Sequence, residues 1–176
     1  VKYIVLTGGH EFRHPAMQSS EFLHDKYKLY SQLIFHCEDT MIKLPSIYGC
    51  VHIRSVSTID SPDIIQSPNC NFNINSPTSE FIHLMKAVDD DLPLVIISNH
   101  MFTAKILQDH FPTKKIIVNH TTSCDRSKND CMHQSILDFV TLTKSQFIIG
   151  SYYSSFSDEA SFFNIIPKVI PLSRNL

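Results

Sequence analysis

The sequence contains no apolar run near the roughly 18 residues that a membrane-spanning helix needs. Its 15 lysines and arginines are scattered along the chain and the net charge is −2, so the composition does not favour a nucleic acid or another polyanion as partner. No apolar core of a secretory signal is visible either. We therefore expect a cytoplasmic chain with no transmembrane segment and no nucleic-acid partner.

The five cysteines include no C-x-x-C pair, their number is odd and their spacing is irregular. We interpret them as free thiols in a reducing compartment. An alternative concerns Cys124 and Cys131, which flank a polar loop and would close it as a disulfide under oxidation. The 176 residues are 43% hydrophobic, which is enough for the core of one domain.

Short β-branched apolar segments alternate with segments of helical periodicity. One helix face is indicated by the i, i+3, i+4, i+7 spacing of Phe81, Leu84, Met85 and Val88, and Asn99 is placed to cap the next helix. The predicted strands are 2–6, 48–54, 92–97, 115–118, 147–150 and 169–170. The predicted helices are 20–35, 81–88, 99–110, 132–143 and one that begins at 155. Polar loops are predicted at 55–78 and 119–131. Such alternation predicts an α/β fold, a Rossmann-like parallel sheet with helices on both faces.

Ligands of parallel sheets bind at the carboxyl ends of the strands, so the turns after the predicted strands are the expected site. The turn at 150–157 is the most informative of them, because it is rich in serine, begins with Gly150 and leads into a helix. Hydroxyl groups and the free N–H groups of a helix start suit the phosphates of a nucleotide. The sequence therefore indicates a phosphate-binding turn after this strand.

Val51-His52-Ile53-Arg54, at the end of a predicted strand, resembles the H-x-R motif of the fucosyltransferase group with the GT-B fold. This group includes α-1,2-, α-1,6-, nodulation and protein O-fucosyltransferases. Further blocks follow in the family's order: the strand end Ile97-Ser98-Asn99, a polar loop with Arg126, the helix segment Ile136-Leu137-Asp138 and the turn at 150–157, which is similar to the family's S-x-x-S-(S/T)-F-S. Together these blocks span most of the region from residue 49 to 165.

The resemblance implies the C-terminal, donor-binding half of a GT-B enzyme. Residues 1–48 would then be an N-terminal segment in which the family's acceptor-binding domain is not recognisable, and residues 49–176 a nucleotide-sugar-binding Rossmann-like domain. The implied activity is a metal-independent, inverting transfer of a sugar, fucose in most of the family, from a GDP-sugar such as GDP-fucose. The resemblance implies no cofactor and no metal, and it leaves open whether the acceptor is a glycan, a lipid or a protein.

Each residue of the implied site has a chemical role. Arg54 would be catalytic, because its guanidinium would stabilise the charge that develops on the leaving diphosphate. His52 would face the nucleotide or orient Arg54, and Asp138 would either accept hydrogen bonds from guanine or hold the neighbouring loop. The other implied donor-binding residues are Asn99, Arg126, Ser154, Ser155, Phe156 and Ser157.

Two departures from the family pattern favour an alternative. Ser55-Val56-Ser57 stands where the family often has a second arginine and an acid, and Asn99 replaces an aspartate. The alternative is a non-catalytic nucleotide-sugar-binding or interaction domain of the same fold. Structural interpretations also exist for Arg54 as a salt-bridge partner, His52 as a core residue and the serines as an N-cap cluster, and Asp158 and Glu159 would repel a phosphate at this helix start.

His10-Glu11-Phe12-Arg13-His14 matches the H-E-x-x-H signature of zinc proteases. That chemistry requires both imidazoles on one face of a helix. Gly8-Gly9 precede the motif and Pro15 follows it, and a proline disfavours helical conformation at the residue before it. A zinc hydrolase is therefore only a remote alternative.

Overall fold

The computed structural model describes residues 43–55, 75–119 and 129–173, without the side chains of 129–132, together with the helical residues Asp25, Lys28, Ser31 and Gln32. Strands and helices alternate in the described ranges, as predicted. They are β1 (Gly49–Ile53), α1 (Thr78–Lys86), β2 (Leu94–Ser98), α2 (Met101–His110), β3 (Ile116–Val118), α3 (Asn129–Thr143), β4 (Ile148–Gly150), α4 (Ser155–Asn164) and β5 (Lys168–Val169).

The five strands form one parallel sheet in the order β3-β2-β1-β4-β5. The chain runs outward from β1 through β2 to β3, then returns to place β4 on the free side of β1 and continues to β5. This order makes a topological switch point between β1 and β4, where the crossovers above them diverge. The prediction of a Rossmann-like parallel sheet is confirmed.

Successive residues of the central strands belong to two separate apolar clusters, one on each face of the sheet. Val51 and Ile53 of β1 pack with Phe81 of α1 and Leu107 of α2. Cys50, which directly precedes Val51 in β1, belongs to the cluster on the opposite face. That second cluster contains Tyr48, Cys50, Val95, Ile97, Leu142, Ile148, Ala160 and Ile166. Helices therefore cover both faces, and β1 and β2 are buried along their whole length, as is typical of parallel strands.

The structure corrects two local predictions. Asn99 does not cap α2, because this helix begins at Met101 and its N-cap position is His100. The helix predicted from 132 begins at Asn129, inside the predicted polar loop. The predicted strand at 2–6 and most of the loops at 55–78 and 119–131 lie outside the described residues.

The fold predicts very different costs for two Phe→Ala substitutions. Phe81 is completely buried under the sheet, whereas Phe102 on α2 is 68% exposed. We expect Phe81→Ala to lower the free energy of unfolding by about 3–5 kcal/mol, because it removes a ring from a packed core. Phe102→Ala, the matched control, should change it by no more than about 0.5 kcal/mol. Urea titrations of both variants measure this difference, and equal losses would contradict the two-faced core.

Candidate ligand site at the sheet switch point

The switch point joins the H-x-R segment directly to the serine-rich turn. β1 and β4 pair in parallel with His52 opposite Gly150. Just beyond the pairing, the Ser151 N–H donates to the His52 carbonyl over 3.0 Å, and the Arg54 N–H donates to Ser151 Oγ over 2.9 Å, across 97 residues of sequence. Arg54, which is half-buried, and the turn that opens α4 therefore lie side by side at the carboxyl edge of the sheet.

Asn99 holds the chain as it leaves β1. Its Oδ1 accepts from the Ser55 N–H over 2.8 Å, and its Nδ2 donates to the Ser55 carbonyl over 2.9 Å. An amide supplies both the donor and the acceptor that this pairing needs, whereas an ionised aspartate supplies only acceptors. Asn99 is thus matched to the backbone of Ser55.

The turn after β4 is fixed by contacts with a distant segment. The Tyr152 N–H donates to Ser76 Oγ over 2.8 Å. Tyr153 has a φ of 57°, a left-handed conformation that costs a bulky residue about 1–3 kcal/mol. The rings of Tyr152 and Tyr153 lie 6.0 Å apart and are 37% and 47% exposed. The turn therefore presents two aromatic rings to solvent next to the switch point.

The first turn of α4 contains the serines that the sequence singles out. Ser154 occupies the N-cap position and makes no side-chain capping bond. Ser157 is fully buried, and its hydroxyl donates to the Ser154 carbonyl over 3.2 Å. Ser155 and Phe156 are half-buried. The N–H groups that open a helix lack partners within it, and the helix dipole makes this end attractive to anions.

Lys168, a residue that sequence reasoning missed, lies against this helix start. It belongs to β5, its side chain is only 8% exposed, and its Nζ forms an ion pair with Asp158 in the first turn of α4. A Cβ at Gly150 would lie 2.7 Å from Lys168 Cε and 2.9 Å from Ser157 Oγ. The glycine thus leaves the space through which the lysine reaches Asp158. A single lysine in a short terminal strand carries no sequence signal of this role.

His52 lies beneath the same helix start. It is 6% exposed, and its ring centroid is 5.4 Å from that of Phe156. Its Nδ1 is buried and has no hydrogen-bond partner among the described residues. The pKa of His52 is lowered to about 3, chiefly by burial and also by the positive charges of Lys168 and Arg54, and the charge of Asp138 acts in the opposite direction. The imidazole is therefore neutral at pH 7.

Asp138 accepts hydrogen bonds from two side-chain amides. It is 8% exposed, and its Oδ1 accepts from Asn119 Nδ2 over 2.7 Å and from Gln134 Nε2 over 2.9 Å. Asn119 directly follows β3, so Asp138 fixes the chain as it leaves that strand. These contacts agree with the loop-holding alternative for Asp138.

Several residues named from the sequence lie outside the described side chains, namely Arg126, the H-E-x-x-H motif at 10–14, Cys124 and Cys131. Of the five cysteines, Cys50 is described, and it is a buried free thiol. The described residues contain no group of three or more His, Cys, Asp or Glu side chains that could hold a metal ion. None of the helices in the described ranges combines the length and the apolar character that a membrane-spanning helix requires.

No protein-family model matches the chain, and no curated protein matches it either. Fold and site geometry alone therefore define its class. It is an α/β domain with a Rossmann-like parallel sheet. At the switch point of this sheet, an arginine, a buried neutral histidine and a serine-rich helix start lie together.

Acid should destabilise the fold through His52. Its pKa is about 3 in the folded protein and near its ordinary value of 6.5 when unfolded. Between these two pKa values, His52 takes up a proton in the unfolded state but not in the folded state. The stability that is fully present above the unfolded-state pKa is therefore lost as the pH falls toward the folded-state pKa. Between about pH 6 and about pH 4, the free energy of unfolding should fall more steeply in the wild type than in His52→Leu, by up to about 1.4 kcal/mol per pH unit. Parallel pH profiles in urea titrations would contradict a buried neutral His52.

Proposed function

We propose that this chain is the donor-binding domain of a fucosyltransferase-like GT-B glycosyltransferase, and that a nucleoside-diphosphate sugar binds at the β1–β4 switch point. The observation that carries the proposal is the direct hydrogen bond between Arg54 N–H and Ser151 Oγ. It puts the H-x-R segment against the serine turn, the two blocks on which the resemblance to this family rests. If these two blocks lay on strands far apart in the sheet, they could not form one ligand site.

The electrostatics of the switch point suit a diphosphate. Arg54 brings a guanidinium whose planar fork matches two phosphate oxygens. The start of α4 adds N–H groups and the positive end of a helix dipole. Asp158, which would repel a phosphate, is paired with Lys168. This ion pair reduces the repulsion that Asp158 would exert on an anion at this edge.

The proposed reaction follows from that binding mode. An acceptor hydroxyl attacks the anomeric carbon of the sugar from the face opposite the diphosphate, which inverts the configuration. The bond between the anomeric carbon and the phosphate oxygen breaks, the diphosphate leaves with the electron pair, and the proton of the acceptor hydroxyl passes to solvent water. Arg54 stabilises the charge that grows on the leaving oxygen, so its contribution is larger in the transition state than in the ground state. GDP-fucose is the proposed donor.

Calorimetry with GDP, UDP and guanosine tests the binding mode. Arg54→Met should weaken GDP binding by about 10- to 100-fold, the range expected for a lost hydrogen bond to a charged group. Guanosine, which has no phosphate, should bind both forms equally. Lys105→Met is the matched control, since it removes one positive charge from an exposed ion pair on α2 and should leave GDP affinity unchanged.

Two outcomes would contradict the proposal. Folded wild-type protein that binds neither GDP, GDP-fucose nor UDP has no nucleotide-sugar site. Equal loss of GDP and guanosine affinity in Arg54→Met would place Arg54 against the nucleoside rather than the phosphates.

A binding domain without transferase activity is the second candidate. It is favoured by the contacts of two carboxylates, since side-chain amides hold Asp138 and Lys168 holds Asp158. Both carboxylates are thus already engaged, which disfavours them as the base for an acceptor hydroxyl. GDP release from GDP-fucose in the presence of candidate acceptors separates the two functions. Sustained turnover supports the transferase, and tight GDP-fucose binding without turnover supports the binding domain.

A further inference from the structure

Lys168 is unusual in that its charged side chain lies inside the domain. Lysine is rarely buried unless it is paired, because removing an ammonium from water is costly. Here the side chain is 8% exposed, passes over Gly150 and ends on Asp158. A residue larger than glycine at 150 would occupy its path. Two positions on neighbouring strands, Gly150 in β4 and Lys168 in β5, are therefore arranged around this one ion pair.

Asp158 needs such a partner if α4 receives an anion. It lies in the first turn of α4, where its backbone N–H donates to the Ser154 carbonyl over 3.1 Å. A carboxylate is attracted to the positive end of a helix and repels a phosphate at the same place. The ion pair neutralises this carboxylate and fixes it on Lys168.

An independent observation at this helix start, a buried polar atom without a described hydrogen-bond partner, also favours a ligand there. His52 packs against Phe156 in the first turn of α4 and is 6% exposed, yet its buried Nδ1 has no partner among the described residues. A buried polar atom without a partner is destabilising, so native structures rarely retain one without a role. A phosphate oxygen at the start of α4 would be an acceptor for an Nδ1–H. The positive charges of Lys168 and Arg54 also contribute to the lowered pKa of His52, so both charges lie near this imidazole.

We propose that Lys168 is a positioning residue that keeps the start of α4 available to a phosphate by holding Asp158. This inference rests on the proposed function, since it assumes a phosphate ligand at that helix. Lys168 acts through Asp158 and does not itself contact the ligand. Because Lys168 acts only by pairing with the charge of Asp158, removing that charge by a substitution at Asp158 should undo the effect of a substitution at Lys168.

The test is a double-mutant comparison by calorimetry, with GDP and inorganic pyrophosphate as probes. Lys168→Met should weaken both by about tenfold or more, because an unpaired carboxylate then lies beside the bound phosphate. Lys168→Met combined with Asp158→Asn should return both affinities to within about threefold of the wild type, since the repelling charge is gone. Guanosine affinity should stay constant throughout. Lys105→Met, at the exposed pair with Asp109, is the matched control.

Each contrary result has a distinct meaning. If the double variant stays as weak as Lys168→Met, or if Lys168→Met binds like the wild type, the positioning role is wrong. Should Lys168→Met not fold, Asp158→Asn alone decides: unchanged or tighter binding supports the positioning role, and a tenfold loss overturns it.

Wild-type protein that binds pyrophosphate but neither GDP nor GDP-fucose refutes the proposed function. The comparison of the variants with pyrophosphate then still tests the role of Lys168. Binding of neither probe overturns both proposals.

Discussion

The pairing of β1 with β4 is the constraint on which the rest of the site depends. It brings together two segments that are 97 residues apart and ties them by the bond from Arg54 N–H to Ser151 Oγ. The parallel register puts both strand ends at the same edge, and the reversal of strand order keeps the space above them free of a crossover. Sheet topology, rather than any local motif, thus creates the place where a ligand can meet an arginine and a helix start.

The charged side chains near His52 have partners. Asp158 is paired with Lys168, Asp138 accepts hydrogen bonds from two amides, and the buried imidazole of His52 is uncharged at pH 7. A glycine at 150 is what makes the arrangement possible, because the lysine stem occupies the volume of a side chain there. Because Asp158 is paired and Asp138 accepts two hydrogen bonds, neither opposes the attraction that the guanidinium of Arg54 and the dipole of α4 exert on an anion as strongly as a free carboxylate would.

The strands and helices of the sheet could be predicted from the sequence because the apolar patterns that indicate them are local. Apolar runs such as Leu92–Ile97 and helical spacing such as that from Phe81 to Val88 follow from burial on one or two faces, and the structure agrees with both within three residues of their ends. Contacts between distant segments were not readable in this way. Asn99 was expected to cap a helix because its local position allowed it, but its amide binds the backbone of Ser55, which only the β1–β2 pairing brings near. Lys168 was overlooked for the same reason.

A crystal structure of the protein with GDP tests the central claim most directly. The account predicts the diphosphate between the Arg54 guanidinium and the N–H groups of Ser155 and Phe156, with a phosphate oxygen near His52 Nδ1 and the ion pair of Lys168 and Asp158 intact. GDP bound at another edge of the sheet, or a diphosphate that touches neither Arg54 nor the first turn of α4, would contradict it.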